Sequence, residues 1–432
     1  MRVFRNATLP DGRTRDVAVA DGKIVAVQSN LFGETEVNAA GKRLFPGMID
    51  VHVHFRQPGF PEKETWETGS KAAAAGGVTS VVDQPNTEPP TIDKGTFDQK
   101  AALAAQSLVD WGINGGVTAD WDPEGLLSRP VFALGEVFLA DSTGDMGIET
   151  SLFEEAIRRA SETGTVVTVH AEDASHFDES ARERDDPGAW SAYRTPTAET
   201  VAVAHAVEVA QEFDAQVHIA HTSTPEGIDQ AAAAGATTEV TPHHLFLSTD
   251  DLDELGTFGR MNPPLRDEDR RLAVYDRVAD GTVDIIATDH APHTREEKDA
   301  SIWDAPSGVP GVETALPLLL AEAEAGRLSF ERVRDLTARN PARIFDLPNK
   351  GRIEAGADAD LVLVDMDTTR EIRGEDLHGK TDWTPFEGMT GVFPEMTMVR
   401  GEIVWEANDA STGAGSFGDP TGRNLRKRMD EP

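Results

Sequence analysis

Two histidines separated by a single residue are the first side chains whose spacing could do chemistry. They occur in FPGMIDVHVHFRQPG, residues 45–59, as His52 and His54. Because side chains alternate in direction along a strand, both imidazoles share one face, about 7 Å apart along the backbone. Two imidazoles so placed can converge on one metal ion. Either histidine alone could equally be held by backbone hydrogen bonds, so the pair needs support from elsewhere in the chain.

Three further polar residues end apolar runs in the same way. His170 closes TVVTVH, His221 closes VHIAH and Asp289 closes VDIIATD, and loop-like sequence follows each. In a parallel barrel, strand ends meet at the C-terminal face, where active sites are built. Four imidazoles and a carboxylate suit zinc, with manganese or cobalt as alternatives. We prefer His221 to His218, because it adjoins the loop TSTPEG and the two have opposite strand parity.

A second group of histidines stands near these strand ends. His243 and His244 end the run TTEVTPHH and could donate hydrogen bonds to the metal ligands. His293, in TDHAPH, lies farther into its loop and could reach a substrate. The other histidines occur in polar or helical sequence, where a structural role is the simpler interpretation.

The elements that must position these residues alternate between strand and helix. Eight apolar runs predict strands: MIDVHVHF, GVTSVVD, GINGGVT, VFALGEVFL, TVVTVHAE, AQVHIAHT, TTEVTPHHL and VDIIATDH. Helix-forming sequence such as SLFEEAIRRASETG separates several of them. This α/β alternation predicts a closed parallel (β/α)8 barrel, the TIM barrel. An open sheet with a dinucleotide site is disfavoured, because no Gly-x-Gly-x-x-Gly follows the first strand.

Both ends of the chain contain short strands and turns. RVFRNATL and KIVAVQ occur near the start, and ADLVLVD and MTMVRGEIVWE near the finish. We therefore expect a small β-sandwich domain formed from both chain ends. The predicted division is residues 1–48 for its first part, 49–345 for the barrel, 346–408 for its second part and 409–432 for a loosely ordered tail.

Charge and composition restrict the class of protein. The 432 residues include 76 acidic and 40 basic side chains, a formal net charge of −36, and no cysteine. Such a field repels nucleic acid and anionic membranes, so neither is an expected partner. The N-terminus lacks a hydrophobic signal core. Scattered acids with few lysines indicate a salt-rich cytoplasm, where ions screen the repulsion.

The chain also resembles the amidohydrolase superfamily and, within it, the dihydroorotases. Five segments carry the resemblance: PGMIDVHVHFRQPG, DQPNTEPPT, MNPPLR, TDHAPH and APSGVPGVET. A sixth, LTARNPARIFDLPNKGRIEAGADADLVLVD, is similar to the superfamily's usual passage from the barrel into a flanking β domain. Together these segments extend over nearly the whole chain.

The resemblance implies a hydrolase that interconverts N-carbamoyl-L-aspartate and (S)-dihydroorotate, a step of pyrimidine synthesis. It implies two zinc ions per subunit, other divalent ions being possible, held by His52, His54, His170, His221 and Asp289. It implies substrate contacts from His54, Arg56, Asn86, Asn262, His293 and the backbone around Ser307 and Gly308. Asp289 is the expected catalytic base and acid, and a homo-oligomer, a dimer or tetramer, is the expected assembly.

One substrate contact has an independent physical argument. A dihydroorotase must hold a free carboxylate while the ring amide reacts, and the planar guanidinium of Arg56 offers a permanently charged fork for it. Allantoinases and hydantoinases are the nearest alternatives, but their substrates lack this ring carboxylate. A non-catalytic scaffold with the same fold is the alternative from another class. It is disfavoured because every expected histidine and Asp289 are present.

One position departs from the superfamily's pattern. Many members bridge two metals with a carboxylated lysine at the end of the fourth strand, but no lysine occurs between Lys100 and His170. Glu136, in VFALGEVFLADSTGD, occupies the aligned place among apolar neighbours and could supply a bridging carboxylate directly. Asp141 is the second candidate, and a site with a single metal is the remaining alternative.

Overall fold

The computed structural model describes residues 1–140, 146–409 and 411–426. The first strands are β1 (Arg2–Thr8), β2 (Thr14–Ala20), β3 (Lys23–Gln28), β4 (Thr35–Asn38) and β5 (Arg43–Pro46). The central strands are β6 (Met48–Val53), β7 (Val78–Asp83), β8 (Asp110–Ile113), β9 (Leu134–Phe138), β10 (Val167–His170), β11 (Val217–Ile219), β12 (Thr237–Val240) and β13 (Ile285–Ile286). The last strands are β14 (Leu361–Val364), β15 (Arg370–Glu371), β16 (Thr390–Gly391), β17 (Met396–Val399), β18 (Glu402–Asp409) and β19 (Ala414–Phe417).

Helices connect most of the central strands. Those in the described residues are α1 (Trp66–Ala75), α2 (Lys94–Ala104), α3 (Pro123–Leu127), α4 (Thr150–Thr163), α5 (Ala189–Tyr193), α6 (Pro196–Glu212), α7 (Pro225–Ala234), α8 (Pro242–Phe246), α9 (Leu252–Leu255), α10 (Glu268–Asp280), α11 (Arg295–Lys298), α12 (Ala315–Glu324), α13 (Phe330–Arg334) and α14 (Asn340–Ile344). Within this part of the chain, no helix combines the length and apolar character that crossing a bilayer requires.

The central strands form the predicted parallel barrel. β6, β7 and β8 pair in one row, and β9 to β13 pair in a second row, all in parallel. Two bridges join the rows into a ring: Gly115 pairs with Leu134, and Val53 pairs with His290. Strands β6, β7 and β9 are buried along their whole length, as expected where helices cover a parallel sheet. The prediction of a TIM barrel is confirmed.

A repeated Thr-Pro pair begins three helices near the strand ends that carry the polar residues. Thr195, Thr224 and Thr241 are the N-cap residues of α6, α7 and α8, and proline follows each. Each hydroxyl accepts a hydrogen bond from the backbone N–H three residues later. This bond satisfies a donor at the helix start, and proline suits the first helical position. Local sequence therefore fixes the turns that follow β11 and β12.

The strands from both chain ends join in one nine-stranded sheet, as the sequence predicted. Its order is β19-β18-β17-β14-β5-β1-β2-β3, with β4 paired to β1. The two ends meet where β5 and β14 pair antiparallel, so that Phe45 lies opposite Val362. Leu44, Leu361 and Met398 are buried in the core of this sheet. Along the chain, the barrel segment therefore lies between the two segments that together form this one sheet.

The predicted loose tail is wrong for residues 411–426. β19 pairs with β18, and Trp111 N in β8 donates to Arg423 O at 2.9 Å. Leu425 N donates to Trp111 O at 2.8 Å, and the guanidinium of Arg426 lies 4.6 Å from the ring centroid of Phe132. The segment is held mainly by backbone hydrogen bonds, which its polar composition does not indicate. Residues 427–432 lie outside the described part of the chain.

Candidate metal centre

The six predicted metal ligands lie together at the C-terminal ends of the barrel strands. His52 lies in β6, His54 one residue after it, Glu136 in β9, His170 at the end of β10, His221 two residues after β11 and Asp289 three residues after β13. All six side chains are buried. The backbone turns sharply at two of these positions, since φ is +33° at His221 and +44° at Asp289. Folding therefore gathers residues from five strands into one buried cluster.

Glu136 occupies the middle of this cluster. Its Oε2 lies 3.3 Å from His52 Nε2, its Oε1 lies 2.9 Å from His170 Nδ1, and His221 Nε2 contacts the same Oε1. Two groups have ligand atoms within 4.8 Å of one another: His52 with His54 and Glu136, and Glu136 with His170 and His221. The carboxylate of Glu136 belongs to both groups. Its two oxygens therefore face two candidate ion positions.

The glycine that precedes Glu136 allows this placement. Gly135 has φ of +127°, a conformation that side-chain-bearing residues rarely adopt, and a Cβ there would collide with Thr168 of β10. The backbone of β9 therefore approaches β10 closely at the residue before Glu136. This approach brings the glutamate within reach of His170.

Asp289 lies beside the first group. Its Oδ1 is 2.9 Å from His54 Nε2 and 3.5 Å from His52 Nε2. Burial would raise the pKa of Asp289, but His52 and His54 outweigh burial and lower it below its usual range. Asp289 is therefore a carboxylate at neutral pH, able to act as a ligand or to accept a proton.

The cluster fits divalent cations on two observations. His52 Nε2 is aimed between Glu136 and Asp289 but makes no hydrogen bond to any described residue, and buried nitrogens of this kind are rare unless something else satisfies them. In addition, although burial opposes it, hydrogen bonds with Glu136 and Glu172 raise the pKa of His170 to about 9. A proton on an imidazole balances the charge of the neighbouring carboxylates, and a metal cation bound to that imidazole could balance the same charge. Imidazole and carboxylate ligands suit zinc.

Glu239 orients His52 of the first group and also contacts the backbone of His221 in the second. Its Oε1 lies 2.6 Å from His52 Nδ1 and accepts from His221 N at 3.2 Å, while Oε2 lies 3.1 Å from His218 Nε2. Burial would raise the pKa of Glu239, but His52 and His218 lower it to about 2. His218 is thus explained as a partner of Glu239, and His221 is the histidine that contacts Glu136.

Glu172 and Arg194 do the same for the second group. Glu172 Oε2 lies 2.8 Å from His170 Nε2, and Arg194 donates to both oxygens of Glu172 at 2.6 to 3.1 Å. Burial would raise the pKa of Glu172, but Arg194 and His170 lower it. The pair therefore turns Nδ1 of His170 toward Glu136.

Sequence reasoning missed Glu239, Glu172 and Arg194 as members of the site. A signal was present for two of them. Glu239 is the one acidic residue of TTEVTPHHL, a run predicted to be a strand, and Glu172 follows His170 by two residues. A lone acid in a buried strand must have a partner, so Glu239 could have been expected to pair with a cationic or hydrogen-bonding side chain near the strand ends. Nothing local distinguishes Arg194 from the other arginines.

The predicted substrate contacts line a small pocket above the cluster. Its wall includes Arg56, Asn86, Asn262, Ser307 and Gly308, together with His54 and Glu136. Asn86 Oδ1 lies 2.8 Å from His54 Nδ1, and Asn262 Oδ1 accepts from Trp190 Nε1 at 2.9 Å. Five of the six contacts predicted beyond the histidine cluster therefore share one wall.

His293 lies behind Arg56 rather than in this wall. Its Nε2 is 3.1 Å from Arg56 Nη2 and 3.1 Å from Ser307 O, and its side chain is fully buried. Burial and the neighbouring Arg56 lower the pKa of His293 to about 3. The neutral ring therefore supports the arginine and the loop at Ser307. The other two histidines considered from the sequence, His243 and His244, are also buried near the cluster.

The sequence has close counterparts among known proteins. The profile of the amidohydrolase family matches residues 43–404. The chain belongs to the amidohydrolase family. A dihydroorotase of Halobacterium salinarum is 64% identical over 429 residues, covering 99% of this chain and 100% of that protein. A dihydroorotase of Methanosarcina acetivorans is 41% identical over 453 residues, covering 100% of this chain and 96% of that protein.

Solved structures of two hydantoinases share the fold. An L-hydantoinase (dihydropyrimidinase) from Arthrobacter aurescens superposes with a TM-score of 0.91 at 26% identity, covering 98% of this chain and 99% of that one. A D-hydantoinase (dihydropyrimidinase) from a Thermus species superposes with a TM-score of 0.88 at 26% identity, covering 99% of each chain. Sequence likeness to the hydantoinases is thus far weaker than to the dihydroorotases.

Amidohydrolase family members are metal-dependent, and the two groups around Glu136 could hold metal ions here. No lysine lies between Lys100 and Lys298, so a carboxylated lysine cannot serve on β9 or β10. Glu136 supplies a carboxylate from β9 instead. Asp141, the second candidate for that role, lies outside the described residues.

Proposed function

We propose that the chain is a dihydroorotase, which closes N-carbamoyl-L-aspartate to dihydroorotate and reopens the ring. The observation that carries this proposal is the guanidinium of Arg56, placed in the pocket wall beside the histidine cluster. Within the described residues, no carboxylate lies within 4.0 Å of it. Its side-chain bonds go to Pro292 O at 3.2 Å and to His293. Asp289 and Asp83 lie near enough to favour its charge, but neither contacts it. A buried cation with no anion in contact is costly, so an anionic substrate group is its natural partner.

The charge of Arg56 persists at working pH. Burial lowers the pKa of Arg56 to about 10, so the guanidinium remains protonated near neutrality. A planar fork binds a carboxylate through two parallel hydrogen bonds, which fixes orientation as well as position. Dihydroorotate carries such a carboxylate on its ring, and hydantoin and allantoin do not. The identity to dihydroorotases over the whole chain supports the same assignment.

We also propose two zinc ions per chain, with Glu136 shared between them. His52 and His54 would complete one position, with Asp289 beside it, and His170 and His221 would complete the other. Bound divalent ions supply Lewis-acid activation of water and of the ring amide carbonyl. Glu239 and Glu172 hold the imidazoles so that their free nitrogens face inward, as outer carboxylates commonly do.

Asp289 is the proposed proton carrier. Its lowered pKa keeps it ionised, so it can accept a proton from the attacking water. It then returns this proton to the ring nitrogen that leaves. In the biosynthetic direction the same carboxylate takes the proton from the carbamoyl nitrogen. Arg56 and the amides Asn86 and Asn262 hold the substrate still, so that binding energy becomes orientation.

Turnover of matched cyclic amides by one preparation tests this function. The protein is purified and assayed at high salt, its metal content is measured by elemental analysis, and dihydroorotate, hydantoin and allantoin are offered in parallel. We expect two zinc ions per chain and turnover of dihydroorotate alone. Turnover of hydantoin or allantoin with dihydroorotate untouched would overturn the assignment, and inactivity of the metal-loaded protein toward all three would favour a scaffold.

Two broader expectations belong to the same proposal. The net charge of −36 supports a salt-rich cytoplasm as the site of action. A homo-oligomer is proposed by likeness to the family, and light scattering at high salt measures it directly.

A further inference from the structure

Lys298, at the end of α11, is a fully buried lysine without a carboxylate partner. Its side chain is 0% exposed, and within the described residues no acidic oxygen lies within 4.0 Å of its ammonium. Nζ donates instead to three backbone carbonyls: Arg260 O at 2.9 Å, Pro306 O at 3.0 Å and Gly308 O at 3.2 Å. All three N–H groups of the ammonium are therefore used.

The other buried lysines are neutralised in the ordinary way. Lys100 Nζ lies 2.5 Å from Asp83 Oδ2, and Lys350 Nζ lies 2.7 Å from Asp110 and 2.6 Å from Asp360. Lys298 thus stands apart from them. Burial lowers the pKa of Lys298 well below its usual value, which reflects how poorly this environment compensates the charge.

The scarcity of lysine makes this placement more informative. The chain has ten lysines, and Lys298 is the only one between Lys100 and Lys350. Lysine carries its three donors on one nitrogen, so a single ammonium can serve three carbonyls that surround it, whereas the donors of arginine are spread over a planar fork. A compact ammonium therefore suits three converging carbonyls better than arginine, the chain's commoner cation.

The three carbonyls belong to two loops of the pocket wall. Arg260 precedes Asn262 by two residues, while Pro306 and Gly308 flank Ser307. The loops also contact each other directly: Gly308 N donates to Arg260 O at 3.0 Å, and Arg260 Nε donates to Ser307 Oγ at 3.2 Å. Lys298 is the centre from which both loops are held.

We propose that Lys298 is a positioning residue, which sets the peptide orientations at Ser307 and Gly308 and so shapes the side of the pocket that receives the substrate. In a trans peptide the C=O and N–H groups point in opposite directions. By drawing the Pro306 carbonyl to one side, the ammonium turns the Ser307 N–H to the other. Lys298 itself is not part of the pocket wall, so it acts only through this backbone. The inference rests on the function proposed above.

A kinetic comparison of Lys298→Met with the natural protein tests the inference. Methionine fills similar space without the donors, so we expect KM for dihydroorotate to rise at least tenfold, kcat to change less than threefold and metal content to stay the same. Lys350→Met is the control, because it also removes a buried ammonium but lies away from the pocket. It should lower the thermal midpoint and leave KM within twofold. An unchanged KM in Lys298→Met, with only a lower midpoint, would overturn the proposal.

Amide hydrogen exchange gives a second readout that needs no substrate. In Lys298→Met we expect at least tenfold faster exchange in the peptide containing residues 303–309, with unchanged exchange in the barrel strands. Exchange that is faster throughout the protein would contradict the positioning role, and so would an unchanged exchange rate in residues 303–309. If Lys298→Met does not fold, Lys298→Gln is judged by the same two criteria. If the natural protein does not turn over dihydroorotate, the proposed function fails, and local exchange still decides whether Lys298 orders these loops.

Discussion

Glu239 contacts His52 at the ring nitrogen that faces away from Glu136 and Asp289, with 2.6 Å between Oε1 and Nδ1. A carboxylate this close keeps the ring proton on Nδ1 and leaves Nε2 as the nitrogen that faces Glu136 and Asp289. Since Glu239 also receives the backbone N–H of His221, one buried acid on β12 orients one histidine from each candidate ion group. The two candidate ion groups are therefore linked through Glu239 as well as through Glu136.

Replacing Glu239 by glutamine should weaken metal binding. The amide keeps the shape but loses the charge that favours the Nδ1 proton, so we expect the affinity for zinc to fall about 10- to 100-fold. A chelator titration followed by elemental analysis measures this change. Glu208→Gln, an exposed glutamate on α6, is the matched control and should bind zinc like the natural protein. Equal zinc retention by both variants would show that Glu239 serves only the fold.

Removing the shared carboxylate should change the number of ions. In Glu136→Ala both groups lose the member they have in common, so we expect metal content to fall from two ions per chain to one or none, with loss of dihydroorotate hydrolysis. Elemental analysis and a hydrolysis assay on one preparation provide both values. One ion per chain in both proteins, with the variant active, would require a single-metal mechanism.

The carboxylate-binding role of Arg56 predicts a loss of substrate binding. Lysine keeps the charge but not the fork, so Arg56→Lys should raise KM for dihydroorotate about 10- to 100-fold, the effect of losing a charge-assisted hydrogen bond of about 1.5 to 3 kcal/mol. Steady-state kinetics measure the change. Arg158→Lys alters an exposed arginine on α4 and should leave KM unchanged. A normal KM in Arg56→Lys would remove the main argument for the proposed substrate.

Glu322 should make a pH-dependent contribution to stability away from the pocket. Although burial opposes it, hydrogen bonds from Arg327 and Tyr275 lower the pKa of Glu322. An acid whose pKa is lower in the folded state stabilises the fold above its unfolded pKa, and this stability is lost as the pH falls through the folded pKa. Glu322→Gln should therefore be less stable than the natural protein at pH 7, by about 1 kcal/mol.

The difference between these two proteins should shrink as the pH falls below about 4.5. Denaturant unfolding at constant salt, repeated from pH 7 to pH 3.5, measures it. If the difference in unfolding free energy stays constant over this range, Glu322 stabilises the fold through its packing and not through its charge.

The parts of the site that were accessible from sequence are those fixed by strand geometry. His52 and His54 share a face because strand side chains alternate, and His170, His221 and Asp289 each follow an apolar run, so a parallel barrel must bring them to one end. The Thr-Pro helix starts likewise follow from local preferences. These inferences need only the residue order and the periodicity of a strand.

The rest depends on contacts between distant segments. Arg194 contacts Glu172 across a loop. His293 lies behind Arg56, where it also contacts the loop at Ser307. Residues 422–425 lie along β8 through backbone groups that every sequence possesses. Such pairings leave no mark in composition or spacing, since the partner is chosen by the assembled fold.

The pairing of β5 with β14 also constrains the order in which the newly made chain can fold. Leu44 leaves the ribosome more than 300 residues before Leu363, the residue it lies opposite. At synthesis rates of about 5 to 20 residues per second, that interval lasts on the order of tens of seconds. The barrel can form in this interval while one edge of β5 still waits for a partner. During synthesis there is therefore a period in which the unpaired edge of β5 must be kept from pairing with a strand of another chain.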